Sequence, residues 1–224
     1  MAKRGSLEDW YGDTSAHTIS TIYRKLSEVI EPRSDLNFDD PFELLIAVVL
    51  SAQATDKSVN AACEKLYPVA NTPAAIVELG ETRLKSYIKT IGLYNAKAKN
   101  IIALCRILLD KHDGQVPHDR TALEALPGVG RKTANVVLNI AFGEPTIAVD
   151  THVQRVANRL GIANTTTPDQ TEQVLLARTP KRYLHHAHHY LILHGRYCCV
   201  ARKPHCGECP VRRQCPYDNK TAAE

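Results

Sequence analysis

A long apolar run is the first thing this chain lacks. The longest, Leu44–Leu50, falls far short of the about 20 residues that cross a bilayer, so no membrane partner is expected. Lys3 and Arg4 open the chain, but no apolar segment follows them to make a secretory signal, and the expected setting is cytoplasmic. Segments alternating apolar and polar residues are missing too. Only Pro145–Val149 has β character, and it reads as an extended link between helices. Repeats and low-complexity tracts are absent. Charge is not lopsided either: a net charge of +4 and a pI near 8.6 decide little about partners. Hydrophobic residues at 44% and charged residues at 23% are ordinary for a soluble globular protein, and 224 residues suffice for one large or two small domains.

What the chain has in quantity is helix punctuation. Asp40-Pro41-Phe42-Glu43 reads as a capping aspartate, an N1 proline and a glutamate placed to close a capping box. Behind it, Leu44–Leu50 is apolar all round, the mark of a helix buried on every side. Thr72-Pro73, Thr167-Pro168 and Thr179-Pro180 repeat the cap-then-proline pattern, and Gly80 and Gly161 fall where helices end. Between Asn95 and His112, Ile101, Ile102, Leu104, Cys105, Leu108 and Leu109 keep helical spacing. The expected fold is all-α. A helix over about Thr18 to Ile30 is expected to pack on the C-terminal domain, Met1 to about Ser15 to be mobile, and a domain boundary to lie near Pro145.

Leu126-Pro127-Gly128-Val129-Gly130 separates a short helix (Thr121 to Ala125) from one beginning near Arg131. Two glycines around one apolar residue allow a tight turn with positive φ and let a ligand approach bare backbone. Val129 is expected to tuck inward, while the amides of the turn and of the next helix make an anion site. That is the helix–hairpin–helix pattern, which grips a DNA phosphate without reading sequence. Lys132 follows at once, in the first helical turn. Most lysines only solvate a surface, but the positive end of a helix dipole favours the neutral, nucleophilic amine, and the phosphate grip brings a sugar carbon near. Further on, Val149-Asp150-Thr151-His152 offers a carboxylate that could stabilise positive charge on a deoxyribose as its base departs; an N-cap is the plainer role.

Seven cysteines occur, five of them within residues 198–215. In a reducing compartment such crowding reads as metal ligation rather than disulfides. Cys199, Cys206, Cys209 and Cys215 have the spacing C-x6-C-x2-C-x5-C, which both zinc and iron–sulfur accept; the lack of paired C-x2-C motifs leans toward iron–sulfur. Cys198 is an extra thiol beside the first of these, while Cys63 and Cys105 read as small core residues. The same region holds Arg196, Arg202, Lys203, Arg212 and Arg213 against Glu208 alone, either a phosphate-binding patch or a solvated face. His185 and His189, at i and i+4, could hold a metal or simply belong to a packed, partly solvated helix face.

The string from Leu126 through Lys132 to Ala134, the Val149–His152 motif and the four-cysteine C-terminus together resemble the bacterial endonuclease III family. The likeness runs from about Phe38 to Tyr217 and takes in Ser51-Ala-Gln-Ala-Thr-Asp56 and Ile91-Gly-Leu-Tyr-Asn95. It implies a two-domain helix–hairpin–helix DNA glycosylase fold: a six-helix domain over 34–144, and a cluster domain formed by 1–33 and 145–224. DNA would lie across the cleft between them. It implies a 4Fe–4S cluster on the four cysteines, in a structural role. It implies a bifunctional DNA glycosylase and abasic-site lyase, with Lys132 as nucleophile and Asp150 in support. Its partner would be double-stranded DNA holding oxidised pyrimidines or abasic sites, and its setting the nucleoid, as a monomer by default. The damaged nucleotide would be extruded, with Gln53 and Leu93 filling the space it leaves. Gly128, Val129, Gly130, Arg202 and Lys203 complete the expected DNA contacts. Two rivals are a water-using adenine or mismatch glycosylase, against which Lys132 speaks, and a non-enzymatic DNA-binding module with a zinc knob.

Overall fold

The computed structural model describes residues 6–222. Among them every regular element is a helix, and the one β feature is an isolated bridge between Tyr11 and Ala163. After a 3-10 turn at Leu7–Trp10 come α1 (Ala16–Val29), α2 (Pro41–Ser51), α3 (Asp56–Leu66), α4 (Pro73–Ile88) and α5 (Tyr94–Lys111). Then follow α6 (Arg120–Glu124), α7 (Arg131–Phe142), α8 (Thr151–Arg159), α9 (Pro168–Arg178), α10 (Lys181–Leu184) and α11 (Ala187–Tyr197). No helix of the described residues is long and apolar enough to cross a membrane.

The chain divides into two compact units, Ser34–Glu144 and Met1–Arg33 with Pro145–Glu224. In the first, α2 is the central strut: every residue from Phe42 to Leu50 is buried, as its all-round apolar sequence demands. Around it pack Val59, Leu66, Ile76, Leu84, Ile101, Leu104, Cys105, Leu123 and Val137, with Cys63 also in this core. Asp40 caps α2 through Oδ1, which accepts from the amides of Phe42 and Glu43. The expected capping box does not form, because Glu43 Oε2 accepts from the amide of Asp39, one residue before the cap. Buried Glu43 also accepts from Asn71 Nδ2, so its charge is not left unsatisfied. Gly80 does not end a helix outright; with φ 78° and ψ 158° it kinks α4 in the middle.

The second unit is built on α1, α8 and α11, whose Ile19, Tyr23, Leu26, Val153, Val156 and Leu191 share a core. Residues 6–15 are not the mobile lead expected from sequence; the rest of that stretch, 1–5, lies outside the described residues. Gly12 N donates to Ile162 O, Thr14 Oγ1 donates to Leu160 O, and the Arg178 guanidinium donates to the carbonyls of Gly12 and Thr14. Gly161, with φ 64°, terminates α8 as expected. Thr179 departs from expectation. It closes α9 as C-cap, and its hydroxyl shares a hydrogen bond with buried Tyr23 rather than capping α10. The histidine run is also broken: α10 ends at Leu184 and α11 starts at Ala187, so His185 and His186 lie in a turn. His188 is buried with Nδ1 donating to Ala148 O, and no donor group of metal-binding geometry includes His185 or His189 among the described residues. His188 and His189 are buried on α11, whereas His185 and His186 are half-buried in the turn before it.

Candidate nucleic-acid interface and metal centre

In the Ser34–Glu144 unit, α6 and α7 are joined by the tight turn Ala125–Gly130. Val129 N donates to Leu126 O, and both side chains are buried in the core, which fixes the turn from below. Gly128 has φ 82°, a left-handed conformation that costs other residues about 1–2 kcal/mol. Gly130 does not share it: its φ of −99° is open to any residue, and a Cβ there would meet nothing within 4 Å. Its value is space, not conformation. As N-cap of α7 it brings no side chain, so the first turn of the helix is uncapped by any side chain and carries the amide-rich positive end outward. Lys132 stands exposed in that turn.

Two further turns of the same unit carry left-handed, non-glycine residues. Gln53 (φ 55°) follows α2, and Leu93 (φ 60°) is the N-cap of α5. Both side chains are exposed, Leu93 to 63%, so a local core contact is not its role. The turns are neighbours, since a Cβ on Gly92 would lie 3.6 Å from Gln53 O. Gly128 rests on Asn100 of α5 and Val49 of α2, the two helices whose ends bear Leu93 and Gln53. Hairpin and paired turns therefore hang on one scaffold.

In the other unit, Asp150 is the N-cap of α8, its Oδ1 accepting from the amides of His152 and Val153 at 2.8 and 2.9 Å. The plainer role foreseen for it is therefore occupied, and it engages Oδ1.

The same unit gathers Cys198, Cys199, Cys206, Cys209 and Cys215 around one small cavity of about 20 Å³, with Arg159, Arg212 and Lys220 in its wall. Sequence reasoning missed how this loop is held. Arg155 and Arg159, one turn apart on α8, reach across: Arg155 donates to Gly195 O and Cys199 O, and Arg159 to Val200 O, Ala201 O and, at 3.5 Å, Cys199 Sγ. An i, i+4 pair of arginines next to a helix otherwise apolar on one face is the signal that could have found them. Arg159 also lies over the Tyr217 ring at 4.7 Å. The basic stretch consequently splits: Arg212 turns in to Thr221 O, while Arg202, Lys203 and Arg213 stay exposed. Cys198 Sγ donates to His205 O at 3.6 Å, and its thiol together with His194 holds the neighbouring Cys209 thiol well below the usual range, while burial pushes Cys199 and Cys215 up. Four sulfurs lining one cavity, with cations in its wall to offset the charge of four thiolates, suit an anionic iron–sulfur centre.

Residues 46–181 match the HhH-GPD superfamily of base excision DNA repair proteins, and residues 199–215 match the iron–sulfur binding domain of endonuclease III. Endonuclease III of Escherichia coli (strain K12) is 65% identical over 189 residues, covering 84% of this chain and 90% of that protein. The chain belongs to the endonuclease III family. Its cofactor is a 4Fe–4S cluster and its activity that of a DNA glycosylase and abasic-site lyase. A solved structure of a trapped endonuclease III–DNA covalent intermediate, an estranged-adenine complex, aligns at a TM-score of 0.85 and 43% identity, covering 90% of this chain and 96% of that one. A thermostable thymine-DNA glycosylase aligns at 0.76 and 28% identity, covering 90% and 94%. The iron–sulfur match begins on Cys199 and ends on Cys215, leaving Cys198 outside it.

Proposed function

We propose that this enzyme removes oxidised pyrimidines from duplex DNA, with Lys132 as nucleophile, and acts as a monomer on nucleoid DNA in the cytoplasm. The observation that carries this reading is the exposed position of Lys132 in the first turn of α7, directly after a hairpin whose Gly128 has a left-handed backbone that favours glycine and whose Gly130 leaves room for a phosphate. In its neutral form the amine attacks C1′ of the extruded nucleotide. The C1′–N bond breaks, the base leaves with the electron pair and takes up a proton, and loss of a proton from the attacking nitrogen leaves a neutral glycosylamine. The C1′–O4′ bond then opens, O4′ taking up a proton, and the nitrogen lone pair forms the iminium ion. Removal of a C2′ proton then expels the 3′ phosphate by β-elimination, cutting the strand 3′ to the lesion.

Asp150 supports the first step electrostatically through the Oδ2 that its capping role leaves over. Gln53 and Leu93 enter the space that the nucleotide vacates; their exposure and neighbouring left-handed turns support this. Arg202 and Lys203 meet phosphates. Cys199, Cys206, Cys209 and Cys215 would hold the cluster, which, when bound, fastens the loop that presents those two cations. The covalent intermediate with DNA trapped in the related endonuclease III supports a protein nucleophile rather than water. Reduction of the imine by borohydride on an abasic duplex tests the assignment.

A further inference from the structure

Among the described residues Lys97 is the only lysine or arginine that is buried, at 6% exposure. It lies on α5, a turn beyond Leu93. Its Nζ donates to Leu50 O at 2.8 Å and to Ala52 O at 2.6 Å, and no carboxylate forms an ion pair with it among the described residues. Burial alone lowers its pKa. A charge at this depth is costly unless its donors are used, and here they are used on backbone carbonyls at the end of α2. A lysine over the last carbonyls of a helix is an ordinary C-terminal cap. Two details go beyond that. Ala52, whose carbonyl it holds, immediately precedes Gln53, and the Lys97 amide donates to Leu93 O at 3.1 Å. One residue thus bonds both left-handed turns, with its side chain on one and its backbone on the other. A helix ending on Gln53 in place of glycine needs some such anchor, since nothing in the residue itself favours φ 55°.

We infer that Lys97 is a positioning residue that holds the Gln53 and Leu93 turns in a fixed register, so that the two side chains enter the duplex together. This rests on the wedge role proposed above for those side chains. Lys97 itself touches neither DNA nor the reacting sugar.

The test uses the cluster-loaded enzyme and a duplex with a non-cleavable abasic analogue facing 2-aminopurine, whose fluorescence rises when it is unstacked. Lys97→Met, which removes the charge and keeps most of the volume, is compared with Lys97→Arg, which keeps the charge and can donate to both carbonyls, and with a Gln53→Ala/Leu93→Ala double variant. The expected result is that Lys97→Met loses the fluorescence rise and cleaves an abasic duplex about 10²-fold more slowly, the scale of a small misplacement. It should still cleave a single-stranded abasic oligonucleotide at the unaltered rate, because there is no stack to fill. Lys97→Arg should restore the rise. A Lys97→Met enzyme that keeps the rise while the double variant loses it overturns the inference. Equal losses on duplex and single strand also overturn it, reducing Lys97 to a plain cap. If the double variant itself keeps the rise, the wedge role fails, and this inference with it. Lys97→Gln, with one donor and no charge, carries the same comparison should the methionine variant not fold.

Discussion

A Cβ placed on Gly128 would lie 3.2 Å from Nδ2 of Asn100, and Gly128 already has the left-handed φ of 82°. Both facts disfavour a side chain there, whereas Gly130 has neither constraint. Gly128→Ala should therefore lower stability by about 1–3 kcal/mol, from backbone strain plus a crowded contact, and weaken DNA binding with it. Gly130→Ala should leave stability within about 0.5 kcal/mol. It should still weaken DNA binding, because its methyl points into the space a phosphate needs. Thermal unfolding and duplex affinity measured side by side decide this; unaltered affinity in Gly130→Ala would mean that no ligand approaches that backbone.

Asp150 holds two amides through one oxygen, and asparagine caps a helix about as well as aspartate. Asp150→Asn should keep stability within about 1 kcal/mol while base release slows by orders of magnitude. Duplex binding should persist or tighten, since a carboxylate that repels phosphate is gone. Near-normal turnover would leave Asp150 as a helix cap and nothing more.

The purified protein should be yellow-brown with about four irons per chain. Cys206→Ser should lose colour and solubility together. Cys198→Ser should keep its colour, because this thiol stands outside the iron–sulfur match. Colourless protein holding one zinc would contradict the cluster assignment.

Arg202 and Lys203 are exposed on the cysteine loop, and Lys203 has φ 52°. Arg202→Ala with Lys203→Asn, asparagine being at ease in that conformation, removes two cations without straining the turn. The slope of log affinity against log salt should shrink by about 2, alike for every sequence tested. An unchanged slope would make the pair a solvated surface.

Local signals were legible where the chain makes its own caps and cores. The apolar run behind Asp40-Pro41 is a buried helix, Asn95–His112 lies within α5 but for its last residue, and Val129 is buried below its hairpin. What local reading misplaced depends on distant partners. Residues 6–15 are ordered because Arg178, far along the chain, binds their carbonyls. Thr179 serves Tyr23 rather than the proline behind it. At the site, Lys132, Asp150 and the cysteines were singled out by residue type and neighbours. Arg155, Arg159 and Lys97 were not, because a lysine or arginine aimed at backbone carbonyls looks in sequence like any solvated cation.

In the proposed reaction Lys132 becomes covalently joined to the sugar. Protein, abasic duplex and borohydride incubated together should yield an irreversible protein–DNA adduct whose peptide mass maps to Lys132. Lys132→Gln should form no adduct and cut no strand, yet still bind the duplex, because the hairpin is proposed to hold phosphate through backbone amides, which the change leaves in place. An adduct mapping to any other amine would contradict the assignment, and release of free base with no adduct at all would mean that water is the nucleophile.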